Sequence, residues 1–174
     1  MSWSPLEVAV VLCTTMALAE ALLSSRDLVA WLSSLKRPRL YAPLWVWMLV
    51  ALLTYLLQGV IAFRLVAHAH EGYGMIALLA LFGVMAANVA YNVVLDRTRN
   101  PAWAYRGLLW FLPLLIALQV LLFWSDTLSA WLNLAYVAWV LAYDLPIMRA
   151  VSALNSSDLK SPHSGEPSHK ARRR

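Results

Sequence analysis

Four ionisable side chains interrupt long apolar runs: Glu7, Glu20, Arg64 and Asp144. Charge in hydrocarbon is expensive, so each such residue is first a candidate for function. Glu7 and Arg64 lie near the ends of their runs, where a long side chain reaches the headgroups. Glu20 stands about one turn from the end of its run. Asp144 lies two residues before Pro146, which removes a backbone donor and predicts a kink. The plain reading of both acids is pairing with the basic segment after the first run; a role inside the membrane is the sharper one. Asn88 and Asn92 also need partners in hydrocarbon and so point inward, as glue between helices or as ligand contacts.

Aromatic residues form the second candidate chemistry. The chain has 9 tryptophans in 174 residues. Trp3, Trp31, Trp124 and Trp131 fall at the ends of apolar runs and suit interfacial belts. Trp103 suits a belt or a pocket. Trp110 lies deeper, Trp45 and Trp47 open the second run, and Tyr136, Trp139 and Tyr143 share one helical face. Such stripes are either packing or the walls of an aromatic cavity, and their number on short helices tilts the reading toward a cavity.

Catalytic sets do not emerge. His68 and His70 are two apart, so they do not share a helix face, and His163 and His169 lie in a polar tail. No Gly-rich phosphate loop, Ser/His/Asp arrangement or histidine box is present. The expectation is no catalytic residue, no metal site, no cofactor and no enzyme. The single cysteine, Cys13, sits inside the first apolar run and reads as a packed thiol.

These residues must be carried by membrane helices. Hydrophobic residues make up 61% and charged residues 13%, about half the charge of an ordinary soluble domain. Five runs reach the roughly 20 residues needed to cross a bilayer: Pro5–Ser24, Pro43–Val66, Tyr73–Leu95, Tyr105–Trp124 and Leu128–Met148. The first connection, Arg26–Ala42, is the longest; the fourth, Ser125–Thr127, is a tight turn. The fold class expected is all-α, an integral membrane bundle of five transmembrane helices over residues 1–155, with a disordered basic tail over 156–174. Ala17-Leu18-Ala19 resembles a cleavage site, but Glu7 and the lack of a basic leader speak against a signal peptide.

Charge tests the span count independently. Thirteen of the 14 Lys and Arg fall in the first connection, the third connection and its flank, or the tail side; Arg64 alone falls opposite. Only an odd number of spans puts all three regions on one face. Basic residues stay in the cytoplasm, which places the N-terminus outside and the C-terminus inside, as in a bacterial inner membrane. The net charge of +5 is therefore directed at headgroups, and nucleic acid is not an expected partner. Small residues mark helix contacts: Ala17 and Ala21; Ala51, Gly59 and Ala62 on one stripe with Tyr55 and Gln58; and Gly83 with Ala87, Ala86 with Ala90.

The stretch from Trp31 to Val46 (WLSSLKRPRLYAPLWV) resembles the signature of the TspO/MBR family, the tryptophan-rich sensory proteins that include the translocator protein. Trp31, Leu35, Arg37, Pro38, Pro43, Trp45 and Val46 fall in register with its loop motif, followed by Tyr55 and Gly59 down the second helix. Asn88, Trp103, the Tyr136/Trp139 pair and Leu154-Asn155 match in order, so the resemblance runs from about Leu12 to Asn155. Departures mark a divergent member: Leu40 and Ala42 in the loop, Ala51 where many members carry tryptophan, Asn92-Val93, and Pro146-Ile147 in place of a helix-5 Leu-Asn.

The resemblance implies a five-helix bundle, often a homodimer, whose first connection folds over a pocket opening toward the cytoplasm. The implied ligands are porphyrins such as protoporphyrin IX, haem precursors and similar flat hydrophobic molecules, for sensing, transport or scavenging. The ligand-binding residues it implies are Ala21, Trp47, Met48, Asn88, Trp103, Trp110, Trp139 and Tyr143, with Lys36, Arg37, Pro38 and Arg39 at the mouth. Cations there suit anionic propionates. Light-dependent porphyrin breakdown, assigned to some members, is not expected, because Ala51 replaces a tryptophan while Trp139 is retained. Leu141, Tyr143 and Arg149 fit the loose cholesterol-contact pattern, but these residues are ordinary at a helix end. The alternative is a structural or regulatory membrane protein, acting through lipid or partners and its basic tail without a tetrapyrrole.

Overall fold

The computed structural model describes residues 4–23, 25, 27–68 and 73–156. Trp3, Arg26, His70, Glu71 and the tail beyond Ser156 lie outside the described residues, and the reading of that tail as disordered lies there with them. The order is α1 (Pro5–Leu23), α2 (Asp27–Ser34), α3 (Leu44–His68), α4 (Tyr73–Thr98), α5 (Pro101–Ser125), α6 (Thr127–Trp139), a π-helical turn (Val140–Asp144) and α7 (Leu145–Ser156). Five helical segments are long and apolar enough to cross a membrane: α1, α3, α4, α5 and the continuous Thr127–Ser156 segment. The protein is an all-α integral membrane bundle.

The first and third connections differ from the sequence reading, and the fifth span runs on to Ser156, past the expected end at Met148. The first connection contains α2, a short helix with Asp27 in its first turn. The third connection shrinks to Arg99 and Asn100, because α4 continues to Thr98 and α5 starts at Pro101. Asn100 caps α5 by accepting a bond from the Ala102 N–H, and Pro101 occupies the first helical position, where no N–H is needed. Arg99 takes φ 47°, the left-handed position that usually falls to glycine after a helix. Its side chain offsets that strain. It donates to the Asp96 carboxylate at 2.7 Å, the Ser25 hydroxyl at 2.9 Å and the Asp27 carbonyl at 3.0 Å.

Packing follows the small residues. α1 lies along α3, α4 along α5, and α3 touches both α4 and α6. Cys13 of α1 approaches Gly59 so closely that a β-carbon there would lie 3.0 Å from its sulfur, and the thiol donates to the Tyr55 carbonyl at 3.5 Å. Tyr91 of α4 turns a ring edge against Gly107 of α5 and donates to the Ala104 carbonyl at 3.0 Å. Ile61, Leu81, Leu115 and Leu122 are fully buried between the helices. Leu52, Leu56, Leu79 and Trp110 are exposed on the outside, an apolar surface suited to lipid.

The end away from α2 is held by polar contacts. Arg64 donates to both oxygens of Asp126, at 2.7 and 2.9 Å, and Asp126 caps α6 through the Ser129 N–H and hydroxyl. The Arg64 hydrogen bonds hold the Asp126 carboxyl well below the usual carboxylate range; burial works against them, and Ser129 and the Arg64 charge reinforce them. Nearby, Asn133 donates to Gln119, which donates to the Ala130 carbonyl, so both buried amides are partnered.

Candidate functional site

The fifth span changes its winding just before Pro146. A proline has no N–H and its ring crowds the carbonyl four residues back. Here the preceding turn widens: the Leu145 N–H reaches the Val140 carbonyl, five residues back. More residues then share the inner side of that turn. Trp139 and Tyr143 stack with centroids 4.5 Å apart, and Trp139 and Asp144, five apart, both line the same cavity.

That cavity, about 260 Å³, lies at the α2 end of the bundle. α3 contributes Trp47, Met48, Ala51 and Thr54; α4 contributes Asn88, Tyr91, Asn92 and Leu95. Tyr136, Trp139, Asp144 and Met148 come from the fifth span, and Leu28, Leu32 and Tyr41 close it from the first connection. Trp47 is the hub of the aromatic wall. It meets Trp139 edge-on at 6.3 Å, Tyr41 at 5.7 Å and Tyr143 at 5.8 Å.

The segment between α2 and α3 is tied down over this space. The Tyr143 hydroxyl donates to the Leu40 carbonyl at 2.8 Å and accepts from the Ala42 N–H at 2.7 Å. Asn155 grips the Lys36 backbone twice, accepting from its N–H and donating to its carbonyl, each at 3.0 Å. Arg37 stacks over the Tyr41 ring at 5.2 Å and donates to the Leu32 carbonyl. Burial pushes the Tyr41 phenol above its ordinary value, and the Arg37 charge partly offsets this. Arg39 is exposed and Pro38 half-buried.

Glu20 and Asp144 do not pair with the basic connection, contrary to the plain reading of the sequence. Glu20 accepts from the Tyr55 hydroxyl at 2.5 Å and from the Asn92 amide at 2.7 Å, which makes Asn92 the glue between α4 and α1. Asp144 makes no hydrogen bond or ion pair to another described residue. The cations are engaged elsewhere: Arg37 on Tyr41, and Arg99 on Asp96 and above Trp31.

The residues implied by the resemblance divide into three groups. Trp47, Met48, Asn88 and Trp139 line the cavity, and Tyr143 buttresses its wall. Trp103 and Trp110 line a separate groove between α4 and α5 with Gly107 and Phe111, and Trp110 is 81% exposed. Ala21 is exposed on α1. The sequence reading did not place Tyr41, Tyr91, Tyr136, Glu20 or Asp144 at the site, nor Leu28 and Leu32. The i, i+4 spacing of those two leucines behind Asp27 was the available signal for α2.

A second groove, about 470 Å³, runs between α3 and α6 and shares Val50, Thr54, Tyr136 and Trp139 with the cavity. Its other lining residues, Leu53, Leu56, Leu57, Val60 and Ala135, are apolar. The cavity therefore adjoins the lipid-facing side of the bundle as well as the α2 end.

Comparison with known proteins agrees with this architecture. The TspO/MBR family model matches residues 9–145, which carry α1 through the π turn and nearly all of the cavity. No curated protein matches the chain. With the family model covering most of its length, the chain belongs to the TspO/MBR family.

Proposed function

We propose that this protein binds a flat hydrophobic ligand, with tetrapyrroles such as protoporphyrin IX in that class, in the cavity beneath the 35–43 connection. The observation that carries the reading is the aromatic wall of Trp47, Trp139, Tyr41 and Tyr136 around a space within the bundle. Ring faces give a planar ligand large contact area at little conformational cost. The apolar groove between α3 and α6 offers a route from lipid. With the basic end in the cytoplasm, Arg37 and Arg39 stand where the propionates of a porphyrin would emerge.

Size adds a condition. Pockets for drug-sized ligands span roughly 300–1000 Å³, and this cavity is about 260 Å³. The cavity gains room for a macrocycle when the 35–43 connection lifts, which breaks the two Tyr143 bonds and the two Asn155 bonds. Together these contribute on the order of 2–6 kcal/mol, a cost that ligand contacts can offset by shifting the population toward an open state. The reading is one of binding without turnover: Ala51 stands on the cavity wall where the family often has a second tryptophan, so Trp139 lacks its photochemical companion.

The test is a titration of purified protein in detergent with protoporphyrin IX, following tryptophan fluorescence, beside Trp47→Ala and Trp139→Ala. Saturable quenching that both variants weaken supports the site. Identical curves for all three proteins, or no saturation, would overturn it and favour a role through lipid or protein partners.

A further inference from the structure

We propose that the central cavity selects ligands carrying a positive charge, a protonated amine or a quaternary ammonium, held between Asp144 and the aromatic wall. The inference rests on the reading of the cavity as a ligand site and narrows its substrate class.

Sign is the first argument. Among the described residues, two carboxylates, Glu20 and Asp144, line the cavity, and no Lys, Arg or His does. Glu20 is already bonded to Tyr55 and Asn92. Asp144 has no hydrogen-bond or ion-pair partner among the described residues. Arg37 is committed to the Tyr41 ring and the Leu32 carbonyl and makes no ion pair with Asp144. A carboxyl group left alone in a bundle of membrane helices is costly and gains most from a partner that arrives with opposite charge or a donor.

The rings supply the second argument independently. Trp47 and Trp139 meet edge to face at 77°, and Tyr41 and Tyr136 line the same cavity. The face of an aromatic ring carries negative potential, so a cation that sits over these rings is attracted to them. An anion in the same place meets two carboxylates and the same ring faces. A neutral ligand fills the volume but leaves Asp144 as it is. Rings plus one free carboxylate, with no cation among the described lining residues, favour ammonium. The propionates of a tetrapyrrole are accordingly excluded from the interior and confined to the mouth near Arg37.

An isosteric pair tests the charge alone. Benzyltrimethylammonium and neopentylbenzene share shape and differ by a cationic nitrogen in place of carbon. Both are titrated calorimetrically into the full chain in dodecyl maltoside, a detergent without charge. The expected result is that the cation binds about tenfold tighter or more, and that Asp144→Asn collapses the cation-to-neutral ratio toward one. A wild-type ratio at or below one overturns the proposal, as does an Asp144→Asn protein that keeps the full ratio. If Asp144→Asn does not give a monodisperse protein, the wild-type ratio decides by itself. Should neopentylbenzene or protoporphyrin IX saturate while the cation does not, the charge inference falls and the pocket stands; if none of the three saturates, both fall.

Discussion

Replacing Gly107 with alanine probes the packing that holds the cavity's α4 wall. A β-carbon at Gly107 would lie 2.5 and 2.6 Å from two carbons of the Tyr91 ring, far inside contact distance. The ring cannot yield cheaply, because its hydroxyl is bonded to the Ala104 carbonyl at 3.0 Å. Alanine in mid-helix gains about 1 kcal/mol over glycine. Against this stand overpacking, about 1–3 kcal/mol, and the Tyr91 hydrogen bond, about 0.5–1.5 kcal/mol. The net expectation is a loss of about 0.5–3.5 kcal/mol, or roughly 1–14 °C in Tm for a chain of this size. Gly83→Ala is the internal control: its β-carbon would meet Leu114 at 3.9 Å, an ordinary contact, so it is expected to be neutral or stabilising. Thermal unfolding in detergent compares the two. A Gly107→Ala protein that melts with or above Gly83→Ala would show that the close approach of α4 and α5 does not constrain the bundle.

Acid is expected to loosen the end of the bundle opposite α2. Asp126 titrates lower in the folded protein than the ordinary carboxylate near 3.9. Its stabilisation is therefore complete above about pH 4 and is lost as pH falls below that. Unfolding midpoints between pH 6 and 3 should fall on the acid side, and Asp126→Asn should flatten that slope; parallel profiles would contradict the assignment. Tyr143→Phe removes both bonds to Leu40 and Ala42 while keeping the ring stack on Trp139. Hydrogen exchange over residues 36–42 should then rise by on the order of fivefold or more, and unchanged exchange would mean that the connection is held by other contacts.

The spans were legible because hydropathy and charge placement are properties of whole runs, and they survive uncertainty about any single contact. The cavity was legible only in part. Trp47 and Trp139 lie near the α2 end of their helices and both line the cavity. Trp103 and Trp110 depend on how α5 rotates against α4, which the Tyr91–Gly107 contact decides and no spacing along α5 announces. The partners of Glu20 and Asp144 were misread for a related reason. The basic first connection was the expected partner, but its Arg37 guanidinium found a ring face and a backbone carbonyl closer to hand. Pro146 signalled an irregular helix without saying which kind, and the kind matters here, since the widened turn is what lets Trp139 and Asp144 share one side.

That widened turn also constrains how the chain can change length. It amounts to one residue inserted into a regular helix. Removing one residue between 140 and 144 takes out that insertion, so α6 and α7 merge into one α-helix with the residues downstream close to their present phase. A deletion elsewhere between 127 and 147 turns everything downstream by about 100°. Asn155 would then swing away from the Lys36 backbone it now grips, and Met148 would leave the cavity wall. The widened turn is therefore the one place in the last span where a residue can be lost without undoing the cavity wall and the tether of the connection above it.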